Sequence, residues 1–457
     1  MARVGSTLAI SVLYLGIWLA EGIWPASAAV VHEERIGSVP VHIQASAASA
    51  NGSHVVWIVD GAKQREIWVD GVKGPEYDGV LKESLRLSED GQRLVYAATK
   101  GRQWVVVDKG RDGIEYDSID ARSIQLSADG HLAYRARKGQ KWVIVLDGQE
   151  GPAQDGIVEG SLVLSGNGGG CIYAVRKGLR FAIVVNGQES PEYEDIKGAL
   201  LSLSSDGKRW AYIVREGGET RVIVDGVPGP AYELIASFRP LFSPDGARLA
   251  YVAQKGKKMR LVLDGSEGVE LNGVSPPVFS ADGKHLAYVV RDAGECFVVM
   301  DGRPGPRYEI IDARRLALSA DGRVIAYEVA RGSKCHVVVN GIEEPAYDSF
   351  GTTSTLLSPD GKHIGYSAVK NHKSRIVVDG CEGAEYDGIG HHMPRFSPDG
   401  KHIAYVASER IVVFDGAECA TFNYVVEDAL AFTADGKLHL LAVKDDGLYR
   451  VTVAAGP

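Results

Sequence analysis

A unit of about 39 residues recurs along nearly the whole chain, and no other feature limits the possible folds so sharply. An Asp-Gly turn stands at Asp90, Asp129, Asp206, Asp245, Asp282, Asp321, Asp360, Asp399 and Asp435, with Asn167-Gly168 and Asn51-Gly52 as variant copies. Successive intervals from Asn51 are 39, 39, 38, 39, 39, 37, 39, 39, 39 and 36. Ser lies two residues before each turn, from Ser49 and Ser88 to Ser397, until Thr433 replaces it. Two tyrosines keep the same phase, one early in the unit (Tyr96, Tyr251, Tyr405) and one late (Tyr77, Tyr116, Tyr386). Aromatics repeated in this way read as packing residues, because each unit must fill the same space against its neighbour.

The strands can be read within one unit. Thr355 to Ser358 forms a first strand, Pro359 to Lys362 a turn, and His363 to Ala368 a second strand. A polar loop, Val369 to Ser374, leads to a third strand, Arg375 to Val378, and Asp379-Gly380 turns the chain into a short outer strand ending near Asp387. Asp-Gly between apolar runs suits a two-residue hairpin in which both turn residues accept positive φ. Third strands such as Trp104-Val105-Val106-Val107 are apolar throughout, as expected of strands buried on both faces.

Four antiparallel strands in about 40 residues, repeated without interruption, make a β-propeller blade. The predicted fold class is therefore all-β, with about eleven four-stranded blades. Glu34 to Val39 could supply the missing outer strand of the last unit. Propellers typically have four to eight blades, so two tandem propellers of five and six fit that range better than one large ring, and no linker marks a seam.

The run Ser-Pro-Asp-Gly-Lys-His-Ile-Ala-Tyr at 397–405, with its partner at 358–366, resembles the propeller repeat of TolB-like and WD-repeat-like proteins. The resemblance covers roughly 36–450 and implies the propeller fold and, through TolB-like relatives, a periplasmic setting. The N-terminal α/β domain of TolB-like proteins has no counterpart in this sequence.

Residues 1–28 read as a secretory signal: Arg3, an apolar stretch from Leu8 to Ala20, and an A-x-A site at Ala26-Ser27-Ala28. Cleavage after Ala28 would leave 29–457 as the repeat array, periplasmic or secreted, with no transmembrane segment in the mature chain. The five Cys include no CxxC or zinc spacing and are expected to be unpaired, since equivalent positions on neighbouring blades lie beyond bridging distance.

The chain carries 50 Lys and Arg against 59 Asp and Glu, a net charge of -9 that argues against nucleic-acid binding. The charges are unevenly placed. Basic residues gather in the loops between second and third strands: Lys100, Arg102, Arg137, Lys138, Lys177, Arg180, Lys257, Lys258, Arg331, Lys334, Lys373 and Arg375. The segments after the V-D-G turns are acidic instead. The expectation is a disc with one basic face and an acidic rim, able to bind an anionic or protein partner.

A second candidate lies where loops open onto the central channel. His391 and His392, with Glu427 and Asp428 in the next unit, could hold a divalent metal and support lyase or hydrolase chemistry. Adjacent histidines on a strand point to opposite faces, which weakens that site. No G-x-S-x-G elbow occurs, and His32-Glu33 lacks the second His of a zinc motif, since Ile36 takes its place. The reading is a binding scaffold with no cofactor, the alternative a channel-centred carbohydrate-active enzyme.

Overall fold

The computed structural model describes residues 29–62, 64–197, 200–236, 238–351, 355–389, 394–426 and 429–456. They form eleven small antiparallel sheets, each one blade. Blades 1 to 10 follow the chain as 43–77, 79–112, 118–150, 163–189, 195–228, 234–267, 273–308, 310–343, 349–382 and 395–421. Blade 11 combines 424–455 with the N-terminal strand Ala29–Ser38.

One ring results. Each blade shares an apolar core with the next, and the sequence of interfaces closes where Val55 and Trp57 of blade 1 pack on Leu441 and Leu448 of blade 11. Two tandem propellers would interrupt this series; it runs unbroken through all eleven blades. Closure comes from Ala29–Ser38 lying antiparallel on Gly447–Ala455, with Ala29 opposite Ala455 and Ser38 opposite Gly447. Glu33 pairs with Lys444 at 2.9 Å and Glu34 with Arg450 at 3.3 Å across this seam.

Within a blade the first strand departs from the sequence expectation. Blade 1 keeps one continuous strand, Ile43–Ala48, but most blades have two short pieces, as in blade 3, where Ser118–Ile119 and Gln125–Leu126 both pair with Leu132–Lys138. A 3-10 turn, Ala121–Ser123, separates them. Ser123 holds the break, its hydroxyl donating to the Asp120 carbonyl at 2.6 Å and accepting the Arg135 amide at 2.8 Å. Ser84 does the same in blade 2. The predicted polar loop at 369–374 is also tighter: Lys370 pairs directly with Lys373, leaving a two-residue hairpin.

The two kinds of Asp-Gly turn differ. At V-D-G both residues have positive φ, 49° at Asp379 and 77° at Gly380, as the two-residue hairpin requires. At S-x-D-G only the glycine does, 71° at Gly361. There the Asp360 carboxylate accepts the Ser358 hydroxyl at 2.7 Å and the Lys362 amide at 3.2 Å, an Asx-type turn. The phased tyrosines pack edge to face, Tyr116 on Tyr134 with centroids 6.2 Å apart, and both are buried. Outer strands are mostly two residues long and flanked by prolines such as Pro191, Pro230 and Pro345, which leaves little edge for unwanted pairing.

Candidate functional site

An up-and-down blade sends its turns to two opposite faces of the ring. The S-x-D-G and V-D-G turns share one face; the hairpins between second and third strands share the other with the links that enter the next blade. The candidate basic residues, arising from those hairpins, meet the acidic links at close range.

A carboxylate twelve residues on neutralises the first cation of most hairpins. Lys138 reaches Glu150 at 3.2 Å, Lys177 reaches Glu189 at 2.9 Å, and Arg331 reaches Glu343 at 3.0 Å; Lys100 pairs with Asp112. The second cation finds an acid fourteen residues on, Lys334 with Asp348 and Lys373 with Asp387, both at 2.5 Å. Lys258 bonds Asn272 at 2.7 Å, and Arg180 crosses to Glu216 at 2.9 Å. Arg375, its side chain only 6% exposed, sits between Glu382 and Glu385. Arg137 lies over the Trp142 ring at 5.8 Å. The expected separation into a basic face and an acidic rim is therefore replaced by interleaved pairs, because the link returns the chain beside its own hairpin.

Several of these acids also tie neighbouring blades together. Asp348 accepts Lys334 of blade 8 on one oxygen and the Asn371 amide of blade 9, at 2.8 Å, on the other. Both contacts hold its carboxyl below the usual range, Lys334 foremost. Asp117 bridges in the same way, accepting from Gln103 at 3.3 Å and from the Gly139 amide at 2.6 Å. Deeper in, Glu150 accepts the Tyr116 hydroxyl of the previous blade at 3.0 Å, and Glu267 accepts Tyr232 at 2.9 Å. Sequence reasoning missed these clasps, although the constant spacings of twelve and fourteen between the basic and acidic series are visible in the repeat.

Arg102 and Lys257 remain. Both are exposed at hairpin tips, and among the described residues neither makes an ion pair. On the opposite face, one histidine per blade in blades 1, 3, 7, 9 and 10 meets the V-D-G aspartate, as with His363 Nδ1 and Asp379 at 2.7 Å. Arginine replaces it in blades 2, 5 and 6.

His391, His392, Glu427 and Asp428 lie outside the described residues. Among the described ones, no three His, Cys, Asp or Glu side chains gather as a metal site, and no helix is long and apolar enough to cross a membrane. The five cysteines are free. A cleft of about 320 Å³ opens between blades 5 and 6, lined by Val224, Val227, Pro228, Leu249, Tyr251 and Arg209.

No family model matches this sequence, and no curated protein does. Solved structures that superpose on it include a eukaryotic initiation factor, 14% identical over 72% of this chain and 94% of that one, at a TM-score of 0.41. TolB from Acinetobacter baumannii is 17% identical over 57% of this chain and 77% of its own, at 0.26. The β-propeller domain of Myceliophteria thermophila Cps50 (Swd1) is 14% identical over 58% and 99%, at 0.25. The eleven-blade assignment rests on the strand pairing rather than on these likenesses.

Proposed function

We propose that this chain is a periplasmic or secreted binding scaffold of TolB-like repeat type, which takes a protein or anionic partner on its hairpin face. One observation carries the reading: on a face where most cations are matched by carboxylates, Arg102 and Lys257 project from two-residue hairpins with none among the described residues. Short hairpins hold those tips in fixed positions, so a partner meets a preorganised surface and little ordering entropy is lost on binding. The signal-like segment over residues 1–28, with its A-x-A site at Ala26-Ser27-Ala28, supports the setting.

Arg102→Glu with Lys257→Glu tests it, using affinity capture from the native envelope. Capture that depends on these tips falls between about 0.05 and 0.2 M salt, as the Debye length shrinks past roughly 10 Å. Capture that ignores both salt and the substitutions would sink the reading. The enzyme alternative requires His391 or His392 to bind metal, and metal analysis after incubation with zinc or manganese decides it.

A further inference from the structure

The V-D-G position holds Asp where a cation stands beside it and Asn where none does. In eight blades the aspartate meets a histidine or arginine at the head of the second strand, as His131 meets Asp147 at 2.7 Å and Arg209 meets Asp225 at 3.0 Å. Blades 4 and 8 have Gly170 and Val324 at that place, and their turns are Asn186-Gly187 and Asn340-Gly341. The amide keeps the aspartate's backbone contact and sheds its charge. Its Oδ1 accepts the Cys171 amide at 2.8 Å in blade 4 and the Ile325 amide at 2.9 Å in blade 8, as Asp147 accepts Leu132 at 2.9 Å.

Neutrality comes with a chemical liability. In Asn-Gly the glycine nitrogen can attack the preceding side-chain carbonyl, because no Cβ crowds the approach. The N–Cγ bond forms, the Cγ–Nδ2 bond breaks, and the glycine's proton passes through solvent to the departing ammonia. Water then opens the cyclic imide to Asp or isoaspartate, one water consumed for each ammonia released. The attack needs a glycine N–H not committed elsewhere, an Nδ2 free to leave, and a donor for the negative charge that develops on Oδ1.

Asn-Gly occurs five times, and the structure divides the copies. Gly52 and Gly168 donate to the Ser49 and Ser165 carbonyls at 2.9 Å, while Asn51 Nδ2 and Asn167 Nδ2 donate to the Asp90 and Asp206 carbonyls of the next blade at 3.2 and 3.3 Å. Asn272 is held at both ends, its Oδ1 by Lys258 at 2.7 Å and its Nδ2 by Asp292. At Asn186 and Asn340, among the described residues, neither the following glycine N–H nor Nδ2 makes a hydrogen bond, and Oδ1 already sits on a backbone N–H. Exposure does not make this division, since Asn167 and Asn272 are exposed as well.

We infer that Asn186 and Asn340 are sites of spontaneous covalent modification, deamidating through the succinimide to Asp and isoaspartate, while Asn51, Asn167 and Asn272 are protected. The product sets a carboxylate beside Gly170 or Val324 instead of beside a cation. Isoaspartate also adds a backbone atom to a two-residue hairpin whose ends, Val185 with Gln188 and Val339 with Ile342, are paired. The inference is independent of what the scaffold binds.

The purified full chain, aged in heavy-oxygen water at mildly alkaline pH, tests it, with one sample folded and a parallel one in urea. The five Asn-Gly peptides are compared by mass spectrometry; the heavy oxygen marks product formed during ageing, and electron-transfer fragmentation separates Asp from isoaspartate. In the folded chain, product at 186 and 340 is expected to form roughly tenfold faster than at 51, 167 and 272, about the ratio that one ordinary hydrogen bond supplies, and the five rates converge in urea. Equal rates in the folded chain, faster product at 51, 167 or 272, a ranking that survives unfolding, or no product at 186 and 340 overturns the inference.

Discussion

His402 Nδ1 lies 2.6 Å from Asp415 Oδ2, and the other carboxylate oxygen accepts the Ile403 amide at 2.9 Å. The same pair recurs in other blades, but here the Asp415 side chain is 6% exposed, against 34% for Asp379 beside His363. Burial pushes the Asp415 carboxyl up despite the histidine. His402→Ala therefore strands a buried acid and is expected to cost about 1–3 kcal/mol in urea unfolding, whereas His363→Ala removes a half-exposed pair worth up to about 1 kcal/mol. Equal effects would show that burial does not set the value of this contact.

The glycine of most S-x-D-G turns serves two needs at once, a positive φ and a close approach to the neighbouring blade. Gly168 has φ of 66°, and a Cβ there would stand 2.2 to 2.4 Å from His131 of the preceding blade. Gly178, at a hairpin tip with φ of 61°, has open space around it. Gly178→Ala should cost about 1 kcal/mol through backbone strain alone. Gly168→Ala adds the clash and should cost clearly more, read as a difference in denaturant midpoint.

Ring closure depends on a strand far from its partner in sequence. Ala29 and Val31 pack on the core shared by blades 10 and 11, and Ile36 and Val39 on the core shared by blades 11 and 1. Deleting residues 29–35 should raise amide exchange first in Leu438–Lys444 and Gly447–Ala455, with Leu249–Lys255 on the far side less affected. Uniform loss of protection would mean that the ring unfolds as one cooperative unit.

The turn aspartates make the fold acid-sensitive. The Ser397 hydroxyl and the Lys401 amide hold Asp399 down to about 2, and Lys437 with Thr433 hold Asp435 to about 2. Carboxyls depressed in the folded state stabilise it above their unfolded value near 4 and lose that contribution as pH falls through the folded value. Thermal midpoints should drop between about pH 4 and pH 2. Asp399→Asn should flatten that profile in proportion to one site.

Much of the blade was legible from residue types alone. Ser358-Pro359-Asp360-Gly361 announces a turn wherever it stands, and the apolar third strands announce burial. The broken inner strand was not, because Ser123 acts by reaching the Asp120 carbonyl and the Arg135 amide, a contact made only once the second strand has returned beside it. The candidate basic residues misled for a related reason. Lys138 and Glu150 look like members of two separate charge series until the hairpin and the link fold side by side.

The amino-acid sequence by itself determined the unit, its strands and its turns, because hydrophobic period, Asp-Gly chemistry and repeated tyrosines act over a few residues. Only the tertiary structure decided that eleven units close one ring, since closure joins Ala29 to Ala455, a pairing that no local pattern encodes. It also decided which charges pair within the chain. Lys373 is neutralised by Asp387, whereas among the described residues Lys257 makes no ion pair, and that difference depends on where the chain returns rather than on either lysine.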